Sequence, residues 1–159
     1  LSPSARFHGV LNRDGRNMML NGSKGLLFPI LTHEPFALAI PESLYFGCPV
    51  IGTPYGPLPE LLCRKRVANG RKWTGKVEAC FSELGCLSTK RSELLEAMGN
   101  ADAFNRQHCM EYALDNFSAE RMARDYLGLY EQILQGKPLH AQAPAVLEPP
   151  DRSFLTLEA

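Results

Sequence analysis

Two compact apolar runs on either side of a helical pattern organise the first half of the chain. The runs Gly25–Ile30 and Pro49–Thr53 are short and almost wholly apolar, which is typical of strands buried on both faces of a sheet. Between them, Leu38–Phe46 carries apolar residues at helical spacing and is followed by Gly47, a common helix C-terminal residue. Strand, helix and strand with short connections predict a right-handed βαβ unit, and hence a Rossmann-like α/β fold with a parallel sheet and flanking helices.

The flanking segments predict further elements. Upstream, Ala5–Val10 is short and partly apolar and indicates an edge strand, and Asp14–Asn21 predicts a short helix that stops at Gly22. Downstream, we expect a short helix and a last strand, followed by helices to the end of the domain. In chain order these are Pro59–Cys63, Gly85–Leu87, Ser92–Met98, Ala103–Leu114 and Ser118–Gln135.

The last predicted helix carries a continuous apolar stripe. Either Asn116 or Ser118 is its expected N-cap. We interpret the stripe as a packing surface against the sheet or against a partner domain, in preference to a cofactor role. Its members are Met122, Tyr126, Leu129, Tyr130 and Ile133.

Composition and charge set limits on partners. A chain of 159 residues suits one domain, which we assign to residues 1–136, followed by a Pro-containing flexible tail over residues 137–159. The formal net charge is zero, so charge favours neither nucleic acid nor an anionic membrane. The basic residues between Arg64 and Lys76 predict a solvated loop.

The five cysteines predict free thiols. Their count is odd and no CxxC pair occurs, which argues against both a disulfide framework and a zinc site. Cys48 and Cys86 are placed like small core residues. Free thiols are typical of a reducing compartment, so we expect a cytoplasmic protein without a metal site.

Two carboxylates on either side of a predicted helix start form the candidate site. Glu34 follows a buried strand and Glu42 lies eight residues later. The amides of Phe36, Ala37 and Leu38 are expected to be free, and free amides at such a turn favour a phosphate. Carboxylates are better suited to accept hydrogen bonds from hydroxyls on either side of that phosphate. A phosphate between two hydroxyl-bearing groups matches a nucleotide sugar.

These residues resemble the signature of retaining GT-B glycosyltransferases of family GT4. In that family a Glu-x7-Glu motif is followed by a Gly-x-Pro-Val-Ile strand and a Gly-Gly-x-Pro-Glu turn. The similarity extends over about Phe7 to Leu134, with an insertion-like region at Asn69–Ser82. The matching residues are Phe28-Pro29, Glu34-Pro35-Phe36, Glu42, the run Gly47-Cys48-Pro49-Val50-Ile51-Gly52-Thr53, Gly56, Pro59-Glu60, Asn116-Phe117-Ser118, Met122-Ala123, Tyr126-Leu127 and Leu129-Tyr130.

The resemblance implies a role for each candidate residue. Glu34 would contact the donor hexose near the reacting carbon, as the catalytic residue, and Glu42 would bind the ribose hydroxyls. The amides of Phe36, Ala37 and Leu38 would hold the diphosphate and sugar. Members of the family transfer a hexose from a UDP-, GDP- or ADP-sugar to a sugar, lipid or small-molecule acceptor, and no cofactor beyond this donor is expected.

Three positions depart from the family pattern. Ala37 stands where the family has glycine after the phenylalanine, and Pro57 stands where it has the second glycine of the turn. Pro41 directly precedes Glu42, so it is tolerated if the helix begins near Leu38, because its ring then falls in the first turn.

The resemblance also implies that further parts complete the enzyme. In the family an acceptor-binding N-terminal domain, and the Arg and Lys that hold the phosphates, precede the matched region. We therefore expect the parent protein to be a hexosyltransferase and this chain alone to be inactive. An incomplete sheet would also expose an edge, which favours self-association.

Two other functions remain open from the sequence. A GT-B nucleotide-sugar epimerase shares the architecture and the ligand, and product analysis would separate it from a transferase. A non-catalytic GT-B-like interaction module is suggested by Ala37, Pro41 and Pro57.

Overall fold

The computed structural model describes residues 4–32, 34–63, 79–140 and Leu157. Four strands form one sheet in the order β1-β2-β4-β3, and helices cover both of its faces. A 3-10 turn at Ala101–Ala103 precedes the fifth helix. The elements are α1 Arg13–Gly22, β1 Leu26–Phe28, α2 Ala39–Tyr45, β2 Val50–Gly52, α3 Leu58–Leu62, β3 Ala79–Ser82, β4 Gly85–Ser88, α4 Arg91–Gly99, α5 Arg106–Phe117 and α6 Ala119–Leu134.

The sheet is mixed. β1, β2 and β4 run parallel, with Leu27 opposite Ile51 and Ile51 opposite Cys86. β3 pairs antiparallel with β4 because Glu83 and Leu84 alone connect them, and a connection this short allows only a hairpin. The α/β class, the flanking helices and the parallel βαβ unit are therefore confirmed, whereas the predicted parallel sheet is mixed because β3 runs antiparallel.

One face of the sheet carries the larger core. There, side chains of β1, β2 and β4 pack against α2, α3 and α5. Ile40, Leu44, Val50 and Leu58 are each 0% exposed in this layer. The opposite face has a smaller cluster under α4, formed by Ile51, Cys86, Leu94 and Ala97 with Phe104 against it.

α2 ends as its sequence predicts. Gly47 has a φ of 72°, and its amide donates to the carbonyl of Leu44 at 2.8 Å, while the amide of Cys48 donates to that of Ser43 at 2.9 Å. These two bonds cap the last carbonyls of the helix, with glycine in the left-handed conformation. The prediction that Gly47 caps the C-terminal end of α2 is confirmed, since it lies just past Phe46 and makes one of the capping bonds.

Arg106 joins three segments of the packed face. Its guanidinium donates to the carbonyl of Ser23 at 2.6 Å, to that of Phe46 at 3.1 Å and to that of Asn21 at 3.4 Å. Charged donors make stronger hydrogen bonds than neutral ones. The first residue of α5 thereby ties the C-terminal ends of α1 and α2 together.

The upstream strand prediction is wrong. Residues 5–10 form no strand, and Gly9 has a φ of 64°. The exposed fraction of Phe7 is 86%, and no strand among the described residues pairs with the segment. The other predicted elements are found within a few residues of their expected bounds.

The cysteine prediction needs correction as well. Cys63, at the end of α3, and Cys80, in β3, form a disulfide across a sequence separation of 17. Cys48, Cys86 and Cys109 are free and buried, so the placement of Cys48 and Cys86 in the core is confirmed. An odd total leaves room for one bridge beside three free thiols, and residue spacing gave no sign of this pairing.

Two predicted segments fall outside the described residues, namely the basic loop over residues 64–76 and, apart from Leu157, the tail from residue 141 onward. Within the described part of the chain, no helix combines the length and apolar character needed to cross a bilayer.

Candidate functional site

The turn between β1 and α2 contains a left-handed residue. Ala37 has a φ of 64°, and it is the non-glycine residue with positive φ in the described part of the chain. Its side chain is buried, at 6% exposure. For a residue with a Cβ atom this conformation costs roughly 1–2 kcal/mol. The turn therefore holds an alanine in a backbone shape that suits glycine.

The first turn of α2 accommodates Pro41. Leu38 is the N-cap residue, and the amide of Glu42 donates to the carbonyl of Leu38 at 3.2 Å. Pro41 is the third residue of the helix, where an amide has no intrahelical partner to lose. The expectation that a start near Leu38 makes this proline tolerable is confirmed.

Three consecutive backbone amides lie directly before the first turn of α2. Among the described residues, the N–H groups of Phe36, Ala37 and Leu38 donate to no backbone or side-chain acceptor. Leu38 also offers no side-chain cap. Since α2 has only seven residues, any attraction for an anion here comes from these local donors more than from the helix dipole.

A cavity of about 890 Å³ opens beside this turn. Its walls come from α1, α2, α5 and α6, and most of them are aromatic or aliphatic. The volume lies in the range of small-molecule sites. The wall residues include Phe36, Leu38, Pro41, Tyr45, Phe46, Leu114, Phe117, Met122, Tyr126 and Leu129.

Two ion pairs lie on the cavity wall. Oε1 of Glu42 lies 3.2 Å from Nη1 of Arg16, and the two side chains are 39% and 48% exposed. Arg121 donates from Nε to both carboxylate oxygens of Asp125, at 2.9 and 2.8 Å. Polar groups are thus few and already positioned, a pattern common in ligand cavities.

Glu34 lies apart from this cavity. Its backbone packs against Gly56, where an added Cβ would be 2.9 Å from the carbonyl oxygen of Glu34. Gly56 has a φ of 57°, so both the close contact and the conformation require glycine. The loops after β1 and β2 therefore meet, but among the described residues Glu34 does not contribute to the cavity wall.

The structure thus divides the candidate residues into two groups. Phe36, Leu38 and Glu42 line one cavity, and Ala37 is buried in the turn that positions them. Glu34 is half-buried in the adjoining loop junction.

Sequence reasoning missed Arg16 as the partner of Glu42. The two residues are distant in sequence and no motif joins them, so only the packing of α1 beside α2 reveals the pair. The contribution of α6 to the cavity had a signal, since Met122, Tyr126 and Leu129 belong to the predicted apolar stripe.

The free thiols are poor nucleophiles. Burial raises the pKa of Cys86 and of Cys109 to about 11 and also raises that of Cys48. All three are therefore protonated at neutral pH, and the thiolate is the reactive form. In the described part of the chain, no group of three His, Cys, Asp or Glu residues is arranged to hold a metal ion.

Comparison with known proteins gives no assignment. No model of a protein family matches the chain, and no curated protein matches it either.

Proposed function

We propose that this chain is the donor-binding portion of a retaining glycosyltransferase, which moves a hexose from a nucleoside-diphosphate sugar to an acceptor hydroxyl. The observation that carries the proposal is the backbone of Ala37, which is left-handed with a φ of 64°. The glycosyltransferases that this chain resembles have glycine at that point, so the turn keeps a glycine-like shape despite an alanine. Strained residues of this kind persist where the surroundings hold them, often at ligand sites.

The surroundings of the turn suit the proposed donor. The amides of Phe36, Ala37 and Leu38, which have no acceptor among the described residues, supply hydrogen-bond donors for a diphosphate. Glu42, on the cavity wall, supplies a carboxylate for ribose hydroxyls, and Arg16 fixes its orientation. The aromatic walls of the cavity provide apolar surface for a nucleoside.

The proposed chemistry is electrostatic. As the bond between the hexose and the diphosphate breaks, negative charge develops on the leaving phosphate oxygens, and amide donors aimed at those oxygens stabilise that charge. Glu34 would contact the hexose from the loop beside Gly56. We propose that turnover requires the complete parent enzyme and that the isolated chain lacks transferase activity.

Calorimetry with UDP-, GDP- and ADP-sugars tests donor binding. We expect heat with one of the three donors, and Glu42→Gln should weaken that binding about 10- to 100-fold, since a hydrogen bond to a charged group contributes roughly 1.5–3 kcal/mol. Glu96→Gln is the matched control because Glu96 is an exposed residue of α4, outside the wall of this cavity. No heat with any of the three donors would overturn the proposal. So would a Glu42→Gln variant that binds the donor as tightly as the wild-type chain.

One observation favours the second candidate, a non-catalytic interaction module. Glu34 lies outside the cavity wall that Glu42 lines, so the two carboxylates do not share one described cavity. If nucleotides do not bind while the chain folds normally by circular dichroism, this second candidate becomes the better account.

A further inference from the structure

α6 carries a second, exposed apolar seam beside the stripe that its sequence predicts. Successive residues of a helix are about 100° apart, so Ala123, Leu127, Tyr130 and Leu134 share one side. Leu127 is 61% exposed, Tyr130 is 55% exposed and Leu134 is 86% exposed. Arg121 and Gly128, the two residues of α6 with intermediate burial, lie on the other side of the helix. The seam is therefore distinct from the side of α6 that faces the cavity.

We propose that this seam is a self-association surface, on which two copies of the chain pair through antiparallel α6 helices. The spacing 123, 127, 130 and 134 alternates four and three residues, as in helices that pack side by side. A two-fold axis near the middle of the seam sets Ala123 against Leu134 of the second copy and Leu127 against Tyr130 of the second copy. Ala123 then faces the larger Leu134, and each contact occurs twice, as a two-fold interface requires.

Charge favours the antiparallel arrangement. Arg124 and Glu131 flank the same edge of the seam, and neither has an ion pair within the described residues. Antiparallel pairing places Arg124 near Glu131 of the second copy, twice by symmetry. In a parallel pair the two-fold axis would place this edge on opposite sides of the interface, so Arg124 and Glu131 would not meet and this attraction would be lost.

The available area predicts a weak dimer. α6 has 16 residues and is about 24 Å long. With Tyr126 and Ile133 at its border, the seam is a single helix face, which is small beside the roughly 1,000 Å² of total buried area that a specific interface needs. We therefore expect a concentration-dependent dimer with a micromolar dissociation constant. Apart from Tyr126 at its border, the interface leaves the side of α6 that lines the cavity free.

A membrane surface fits the helix less well. The polar side of α6 carries Glu120, Asp125 and Glu131 against Arg121 and Arg124, so it lacks the basic excess that draws amphipathic helices to anionic lipids.

Sedimentation analysis between about 1 and 100 μM tests the proposal across the concentrations at which a weak dimer forms. We expect the mass to rise from 17.7 kDa toward twice that value. Leu127→Glu should keep the chain monomeric, because it places a charge in the seam. Leu95→Glu is the matched control: Leu95 lies on α4 and is 54% exposed, so the same change there should leave the dimer intact.

A charge exchange tests the orientation. Arg124→Glu alone should weaken the dimer several-fold, and adding Glu131→Arg in the same chain should restore it. A monomer at every concentration, including one that binds vesicles of phosphatidylcholine and phosphatidylserine, overturns the proposal. Dimerisation that survives Leu127→Glu overturns it too. So does a double variant Arg124→Glu/Glu131→Arg that dimerises no more tightly than Arg124→Glu alone.

Discussion

α5 and α6 are consecutive helices with opposite relations to the core. α5 buries Cys109 and Ala113, at 0% and 4% exposure, against the main layer that includes α2. α6 follows after Ser118 alone, and none of its residues is buried. Yet α6 has the larger apolar side chains and the clearer stripe, whereas the buried residues of α5 are small.

This difference shows that a hydrophobic stripe identifies a surface without identifying what covers it. Small side chains let α5 approach α2 closely, and polar contacts hold it there: Arg106 bonds to carbonyls of α1 and α2, and the hydroxyl of Tyr112 donates to the carbonyl of Leu61 at 2.8 Å. α6 lacks an equivalent neighbour among the described elements. Packing against the sheet, one of the two interpretations of its stripe, is therefore wrong, and a partner remains the prediction.

The largest expected effect is a loss of stability that distinguishes the packed core from the outer side of α6. Leu44→Ala, in the layer between α2 and the sheet, should lower the free energy of unfolding by about 2–5 kcal/mol, since Leu44 is 0% exposed. Leu127→Ala, on the outer side of α6, should change it by less than about 0.5 kcal/mol. Urea titration followed by circular dichroism measures both.

The measurement needs a protein concentration at which the proposed dimer dissociates, because association adds apparent stability. If Leu127→Ala lowered the free energy of unfolding as much as Leu44→Ala, α6 would be packed in solution. The contrast between a buried α5 and an exposed α6 would then be wrong.

Loss of the disulfide is expected to have the next largest effect on stability, and this bridge lies in the packed core. Cys63 and Cys80 belong to the same core as α2 and α5, and their bridge closes a separation of 17 residues. Reduction should lower the free energy of unfolding by about 3 kcal/mol, mainly by releasing the unfolded chain. The double variant Cys63→Ala/Cys80→Ala should show a similar loss and no response to reductant. Wild-type protein that unfolds identically with and without reductant would contradict the bridge.

The sequence predicted the parts of the fold that depend on local pattern. Gly25–Ile30 and Pro49–Thr53 contain β1 and β2, because buried parallel strands need continuous apolar runs. Gly47 caps the C-terminal end of α2, and Pro41 is accommodated in its first turn, because both effects depend only on neighbouring residues.

What the sequence could not predict depends on contacts between distant residues. β3 forms because β4 pairs with it, whereas Ala5–Val10 forms no strand and has no pairing strand in the described part of the chain. The bridge between Cys63 and Cys80, and the ion pair between Arg16 and Glu42, likewise follow from packing. In the candidate site, the motif correctly pointed to residues around α2 that line the cavity. Only the fold shows that Glu34 lies outside the cavity wall that Glu42 lines.

The smallest effect concerns Ala37, at the boundary between the packed layer and the cavity. Ala37→Gly relieves roughly 1–2 kcal/mol of left-handed strain, and it loses about 0.8 kcal/mol of methyl burial and about 0.4–1 kcal/mol through the freer unfolded chain. These terms nearly cancel, so urea titration should show a change within about 0.5 kcal/mol of zero. The matched control is Ala113→Gly, in α5, where the alanine is similarly buried but helical and the same change should cost about 1–2 kcal/mol. An equal loss of unfolding free energy in the two variants would mean that Ala37 is not left-handed in solution. The glycine-like turn that supports the proposed donor site would then be contradicted.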